Sequence, residues 1–270
     1  MTDPYSIEGR VVVVTGGLGQ LGAQYGASLL RAGATVVLLD QVSHVQLPGP
    51  LSGAEHHPSL MTVRADVTSR EELASALDQV IASVGPPQGL VNNAALDSPP
   101  DSPATENGPF EDYPESSLDE ILAVNIKGTF LASQVFGGQM AKQGDGSIIN
   151  ICSIYGLVSP DQRLYADRRT RGEIFFKPAA YAVSKSALLN LTRYLATYWA
   201  PSGVRVNTLS LGGVERDQSS DFRLAYSQRV PLGRMAREDE YNGAVRFLLS
   251  DASSYMTGAN LVIDGGWTAW

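Results

Sequence analysis

The sequence predicts an α/β fold, a doubly wound parallel sheet of about seven strands with helices on both faces. Three observations predict it. Short β-branched runs alternate with amphipathic stretches along the whole chain. A glycine-rich turn follows the first of those runs directly. No internal repeat or linker divides the 270 residues, so 1–270 reads as a single domain.

Hydrophobic residues make up 43% and charged residues 18%, an ordinary globular mixture. Twenty basic against 28 acidic side chains give a net charge of −8, which argues against wholesale nucleic-acid binding. Cys152 is the only cysteine and has no internal disulfide partner, which suits a reducing cytoplasm. Met1 to Arg10 is polar and lacks the apolar core of a signal peptide. No apolar run reaches the roughly 18 residues that span a bilayer, so no membrane partner is expected.

Val11 to Val14 reads as a strand buried on both faces. It runs into Thr15-Gly-Gly-Leu-Gly-Gln-Leu-Gly22 and then a helix to about Arg31, an order that forms a phosphate cradle at a helix N-terminus. A second strand, Ala34 to Leu39, closes on Asp40, placed to accept from a ribose 2′-hydroxyl and to repel a 2′-phosphate. No arginine or lysine lies between Gln41 and Pro58, so NAD is favoured over NADP. That stretch reads as a loop, and its His56 and His57 lack ligand spacing, so no metal is expected. Leu60 to Ala65 is a third strand ending at Asp66-Val67. Ser69 to Val84 is a capped helix, and Gly89 to Val91 is a fourth strand running into Asn92-Asn93-Ala94-Ala95.

Residues 96–117 are acidic and proline-rich, a surface loop or an active-site cover. Leu118 to Met140 predicts one or two helices broken near Gly128, with Asn125 inside. Ser147 to Cys152 is a fifth strand, and Ser153 stands at its carboxyl end, where open parallel sheets bind ligands. An excursion, 157–178, then carries Arg163, Arg168, Arg169, Arg171 and Lys177 against Asp161, Asp167 and Glu173. It is either a solvated charged loop or an anion clamp. Tyr181 and Lys185 lie one helical turn apart, and an ammonium beside a phenol draws its pKa down towards neutrality. Val204 opens a sixth strand. Residues 213–236 read as an irregular cover, Arg237 to Leu249 as a helix and Gly258 to Asp264 as a final strand.

Taken together, TGGLGQLG at 15–22, Asp40, Asp66-Val67, NNAA at 92–95, Asn125 in VNIKG, Ser153, YAVSK at 181–185 and VNTLSLGGV at 206–214 resemble a short-chain dehydrogenase/reductase along essentially the whole chain. The resemblance implies a Rossmann-type sheet and a nicotinamide-dependent alcohol–ketone oxidoreductase. It implies Tyr181 as general acid/base and Lys185 as the residue that lowers its pKa and holds the nicotinamide ribose. Ser153 would polarise the substrate oxygen, and Asn125 would anchor a water in a proton relay. The cofactor would meet Gly16, Leu18, Gly19, Gln20, Leu21, Asp40, Asp66, Val67, Asn93, Ala94, Tyr181, Lys185, Gly212 and Val214. A homotetramer or homodimer pairing through the Leu118–Met140 and Tyr181–Ala200 helices is also implied.

Three features depart from the family pattern. Gln20 stands where most single-domain members carry glycine. Leu211 replaces the usual proline, which predicts a looser loop beside it. Ser153 and Tyr181 stand 28 residues apart, about twice the usual spacing. The segments NICSIYGLVSPDQRLY and PAAYAVSKSALLNLTRYLA are similar to a bacterial subgroup of sugar oxidoreductases in flagellin-glycan and nonulosonic-acid pathways. The expected substrate is therefore an anionic, sugar-like small molecule met by Tyr155 and by Arg163, Arg168, Arg169 or Arg171. A non-sugar ketone reductase, for 3-oxoacyl or cyclic ketones, and a non-catalytic NAD sensor are the alternatives.

Overall fold

The computed structural model describes residues 3–42, 47–97 and 105–270. Its strands are β1 (Val11–Thr15), β2 (Thr35–Asp40), β3 (Leu60–Arg64), β4 (Gly89–Asn92), β5 (Gly146–Ser153), β6 (Val204–Leu211) and β7 (Asn260–Ile263). The helices are α1 (Gln20–Arg31), α2 (Arg70–Val84), α3 (Glu115–Leu122), α4 (Thr129–Ala132), α5 (Gly138–Gln143), α6 (Ala166–Thr170), α7 (Ala179–Trp199), α8 (Ser220–Ser227) and α9 (Asn242–Leu249). All seven strands pair in parallel in one sheet, ordered β3-β2-β1-β4-β5-β6-β7. Winding proceeds outward from β1 in one direction and from β4 in the other. The crossovers therefore diverge between these two strands and leave a crevice at their carboxyl ends.

Alternation along β1 explains both layers of helices. Val12 and Val14 join Ala23, Tyr25 and Leu29 of α1 and Val245 and Leu248 of α9 in one core. Val11 and Val13 point the other way, into a core with Leu73 and Val80 of α2, Phe136 and Leu195. A strand apolar on both faces is the signature of a covered parallel sheet.

The turn after β1 depends on two glycines. Gly16 has φ +59°, and a Cβ there would stand 2.8 Å from the Ala94 Cα. At Gly22 a Cβ would stand 2.1 Å from the Gly16 carbonyl oxygen, so no side chain fits where α1 meets the turn.

Three sequence expectations are corrected. The predicted break near Gly128 is absent: residues 115–143 form one continuous rod in which α3, α4 and α5 are joined by π-helical turns, Ala123–Gly128 and Ser133–Gly137. Carbonyls loosened by those turns accept from hydroxyls, Thr129 Oγ1 to Asn125 O at 2.9 Å and Ser133 Oγ to Thr129 O at 2.7 Å. Gly128 serves packing instead, since a Cβ would lie 2.7 Å from Val67 Cγ2. The last helix begins at Asn242 rather than Arg237, because the Glu240 carboxylate accepts from the Arg237 N–H at 2.8 Å and from the Arg234 guanidinium, which holds a turn there. The loop beside Leu211 is not loose. Leu211 stays in register opposite Ser153 and Ile263, and Gly212 N–H donates to Ile263 O at 2.9 Å. Within 41–58 only a short 3₁₀ turn, Gly49–Leu51, forms among the described residues, and 43–46 lie outside them. Residues 98–104 of the acidic loop also lie outside them.

Gly137 faces the Trp199 ring, where a Cβ would lie 2.6 Å from the indole. Gly137→Ala should lower the unfolding free energy by roughly 1–3 kcal/mol through overpacking, read from urea denaturation.

Candidate active site

A cavity of about 360 Å³ opens at the switch point, lined by Gly16, Gly19, Gln20, Leu21, Asp40, Asp66, Val67, Asn93 and Ala94 among others. Sequence places these residues on the ends of separate strands, and the sheet brings them together. Asn93 ties the two central strands, donating from Nδ2 to Thr15 O and Gly16 O at 3.1 Å each. The Asp40 carboxylate accepts from the Leu18 N–H at 3.1 Å, which fixes it at the lip of the turn. Asp66 accepts from the Thr68 N–H and hydroxyl at 2.8 Å each. Gln20, at the departure from the family pattern, donates to Glu238 at 3.2 Å and so bridges α1 to the segment before α9. A glycine cradle closed to side chains, next to a fixed carboxylate, fits the phosphates and ribose of a dinucleotide. Arg64 stands in register with Asp40 on the neighbouring strand and donates to Gln41 O at 3.2 Å. Arg64 lies outside the cation-free stretch 41–58, so only the pairing of β2 with β3 brings a positive charge to Asp40.

A second cavity, of about 480 Å³, shares Gln20, Leu21, Asn93 and Ala95 with the first, so the two form one continuous cleft. Ser153, Tyr155, Tyr181, Lys185, Gly212 and Val214 line it. The carboxyl end of β5 carries Ser153, and the first turns of α7 carry Tyr181 and Lys185. The Lys185 ammonium donates to Ile151 O at 2.8 Å and lies 5.7 Å from the Tyr181 ring centroid. Asn125 is fully buried and is not among the cleft-lining residues. Its amide accepts from Leu96 N–H at 2.7 Å and donates to Leu96 O and Ser184 Oγ at 2.9 Å each, so it fixes the chain after β4 against α7.

Electrostatics here differ from the expectation of an acidified phenol. Burial pushes the Tyr181 phenol well above its ordinary value and the Asp97 carboxylate adds to the rise, while a hydrogen bond with Ser153 works against it. Burial also lowers Lys185 to about 8, partly offset by Cys152 and Asp97. Desolvation outweighs pairwise attraction because the ammonium is directed at the Ile151 carbonyl instead of the phenol oxygen.

The four arginines of the excursion are not brought to the cleft. Arg163 forks onto Asp161, Arg168 pairs with Glu173 while lying over the Phe175 ring, and Arg171 pairs with Asp167 and Glu173. Arg169 donates to Gln162 O at 2.8 Å and Phe175 O at 3.2 Å. Their fork geometry shapes the excursion itself, which folds into α6 and the 3₁₀ turn Gln162–Tyr165. What the excursion does give the cleft is Tyr165 and Lys177, and the cover segment adds Arg216, Gln218, Phe222 and Tyr226. From sequence, Lys177 belongs to the charged excursion and 213–236 to the cover, but none of these side chains is singled out for the site, although Lys177 stands four residues before Tyr181, the same spacing as Lys185 after it.

Comparison with known proteins agrees with this geometry. The family model described as enoyl-(acyl carrier protein) reductase matches residues 16–268. The chain belongs to the short-chain dehydrogenase/reductase family. It is 31% identical over 265 residues to cis-4-hydroxycyclohexanecarboxylate dehydrogenase of Sinomonas cyclohexanicum, covering 96% of this chain and 97% of the relative. It is 30% identical to the L-tagatose-forming galactitol 2-dehydrogenase of Cereibacter sphaeroides, covering 98% of each. Among solved structures, a short-chain dehydrogenase of Leptospira borgpetersenii with bound NAD+ superposes with a TM-score of 0.85 at 34% identity, covering 99% of this chain and 96% of that one. The protein is thus an oxidoreductase of the alcohol–ketone class with a nicotinamide cofactor. Among the described residues no helix is long and apolar enough to cross a membrane.

The lowered Lys185 value makes stability depend on pH with a definite sign. Its ordinary value is 10.5 and its buried value about 8, so the folded state carries the cost of a buried charge below pH 8. That cost fades as pH rises from about 8 to 10.5. Lys185→Met should therefore stabilise the fold at pH 7 by on the order of 2 kcal/mol. The gain over wild type should shrink across that window in urea titrations.

Proposed function

We propose that the enzyme uses NAD(H) to interconvert a secondary alcohol and its ketone on a sugar-like compound that bears an acid group. The observation that carries this reading is the meeting of Ser153, Tyr181 and Lys185 in a cleft continuous with the cradle at Asp40. A nicotinamide dinucleotide, when bound, accepts or supplies the hydride. The Tyr181 phenol oxygen takes the hydroxyl proton as the alcohol is oxidised and returns it when the ketone is reduced. Ser153 holds the substrate oxygen towards Tyr181. Lys185 places a positive charge below the phenolate that forms. A phenol pushed up by burial must lose its proton for oxidation, so oxidation should accelerate with rising pH and reduction with falling pH.

Preference for NAD rests on Asp40, whose carboxylate repels a 2′-phosphate. The acid group falls to Arg216, which lines the cleft with its side chain 66% exposed; the Asp217 carboxylate it meets at 3.4 Å is itself 95% exposed, so that pairing is weak. Lys177 and Lys185 bring the cleft's other positive charges, against the Asp97 carboxylate. An aromatic wall of Tyr155, Tyr165, Phe222 and Tyr226 favours a second reading, a neutral cyclic ketone. We also propose pairing of subunits in a dimer or tetramer through the rod and α7, supported by Phe130, Val183, Tyr194 and Tyr198 exposed on them. A cytoplasmic location is supported by the single buried cysteine.

Tyr181→Phe should cut turnover by roughly 10²- to 10⁴-fold while leaving NADH binding intact. Unchanged turnover would end the assignment. Arg216→Ala should reduce kcat/KM for an acid-bearing hydroxy substrate roughly tenfold or more relative to its neutral amide. Equal loss on both would favour the neutral cyclic ketone. Asp40→Ala should narrow the ratio of NAD to NADP efficiency.

A further inference from the structure

Asp97 and Lys177 are 80 residues apart in sequence, yet the Lys177 ammonium donates directly to the Asp97 carboxylate within the cleft. The ammonium also sits 5.3 Å from the Tyr181 ring centroid, on a ring that Lys185 approaches at 5.7 Å. Lys177 is buried, its side chain 5% exposed, whereas that of Asp97 is 54% exposed.

Each partner is presented by a side-chain amide that engages backbone on both sides. Gln162 Oε1 accepts from Lys177 N–H and its Nε2 donates to Lys177 O, both at 2.9 Å. Asn125 holds Leu96, the neighbour of Asp97, through the N–H and the carbonyl alike. Two separate clamps therefore fix where these charges stand. An ion pair with one member buried and the other half in water is a poor source of stability, because desolvation of the ammonium and solvent screening of the carboxylate offset most of the attraction. Placement is what the clamps secure. The Asp97 carboxylate raises Tyr155, Tyr165, Tyr181 and Lys185, so its field reaches four of the titratable groups that line the cleft.

An acceptor and a donor side by side match a group that both gives and takes a hydrogen bond, and an alcohol is such a group. A carboxylate placed there would face Asp97 at close range. We propose that Asp97 and Lys177 bind a second hydroxyl on the carbon next to the reacting carbinol, so the substrate is a vicinal diol or the matching α-hydroxy ketone. Asp97 accepts that hydroxyl's proton in a hydrogen bond, and Lys177 donates to its oxygen. This rests on the reading of Tyr181 given above and adds a specificity pair to it. The excursion earns its place in the chain by delivering Lys177, while its arginines shape it.

The test is oxidation of butane-2,3-diol and butan-2-ol by the full-length wild type and the Asp97→Asn and Lys177→Gln variants, with NAD+ in excess. The readout is the ratio of kcat/KM for diol over mono-alcohol. Wild type should prefer the diol by roughly tenfold to a hundredfold, and both variants should bring the ratio to within about threefold of unity. A merely structural role would lower both rates and leave the ratio unchanged, which would overturn the proposal. So would a wild type indifferent to the second hydroxyl, or one that oxidises cyclohexanol and neither butane substrate. Were wild type to oxidise no secondary alcohol at all, the proposed function would itself fall. Asp97→Asn is close in shape and half-exposed, and circular dichroism of both variants checks their folding.

Discussion

A positive charge kept out of water beneath the Tyr181 ring is the constraint on which the rest of the site depends. Lys185 is buried, and its ammonium has the Ile151 carbonyl of β5 as its partner. An ammonium in that position is tolerable only if the strand end and the helix are held in a fixed relation. They are. Cys152 Sγ donates to Lys185 O at 3.2 Å, and a Cβ on Gly156 would come within 3.0 Å of the Lys185 backbone. The residues before and after Ser153 are thereby pressed against the turn of α7 that carries the lysine. Moving either element would strand the charge, so the positions of Ser153 and Tyr181 follow from the burial of Lys185.

Around this fixed centre the surrounding segments form a separate, smaller core. Leu164, Tyr165 and Phe175 of the excursion pack with Tyr226, Val230 and Met235 of the cover and with Trp267 near the carboxyl end. Asp161 accepts from Arg163 within the excursion and from Arg229 after α8, which joins the two segments by charge as well. Excursion and cover thus share one apolar cluster and, among the described residues, two ionic contacts, Arg229 with Asp161 and Arg171 with Asp221 at 3.9 Å, and they form one wall of the cleft. The strongly directed arginines belong to this wall as fasteners.

The sheet was legible in the sequence because two-sided burial writes itself as β-branched runs, as in Val11–Val14. So was the cradle, since Gly16 and Gly22 stand where backbone meets backbone too closely for any Cβ. Spacing reaches only to neighbours, however. The clamp of Asn125 on Leu96 spans 29 residues and the pair of Lys177 with Asp97 spans 80, and nothing local announces either. Charge counting likewise cannot tell an arginine that faces a ligand from one that closes its own loop, so Arg163 and Arg168 read as a clamp. Gly128 misled for a related reason: a glycine within a helix signals a break by propensity, but here it makes room for Val67.

Tyr226 occupies an unusual junction. Its hydroxyl accepts from the Gly213 N–H at 2.6 Å, beside the cleft, and its ring stacks on Trp267 with centroids 4.5 Å apart. Any shift of the backbone at Gly213 is carried through one phenol to one indole. Of the three tryptophans, Trp199 lies far off against Gly137 and Trp270 is exposed to solvent. Trp267 is therefore the tryptophan placed to serve as an optical gauge of the cleft wall, with no added dye.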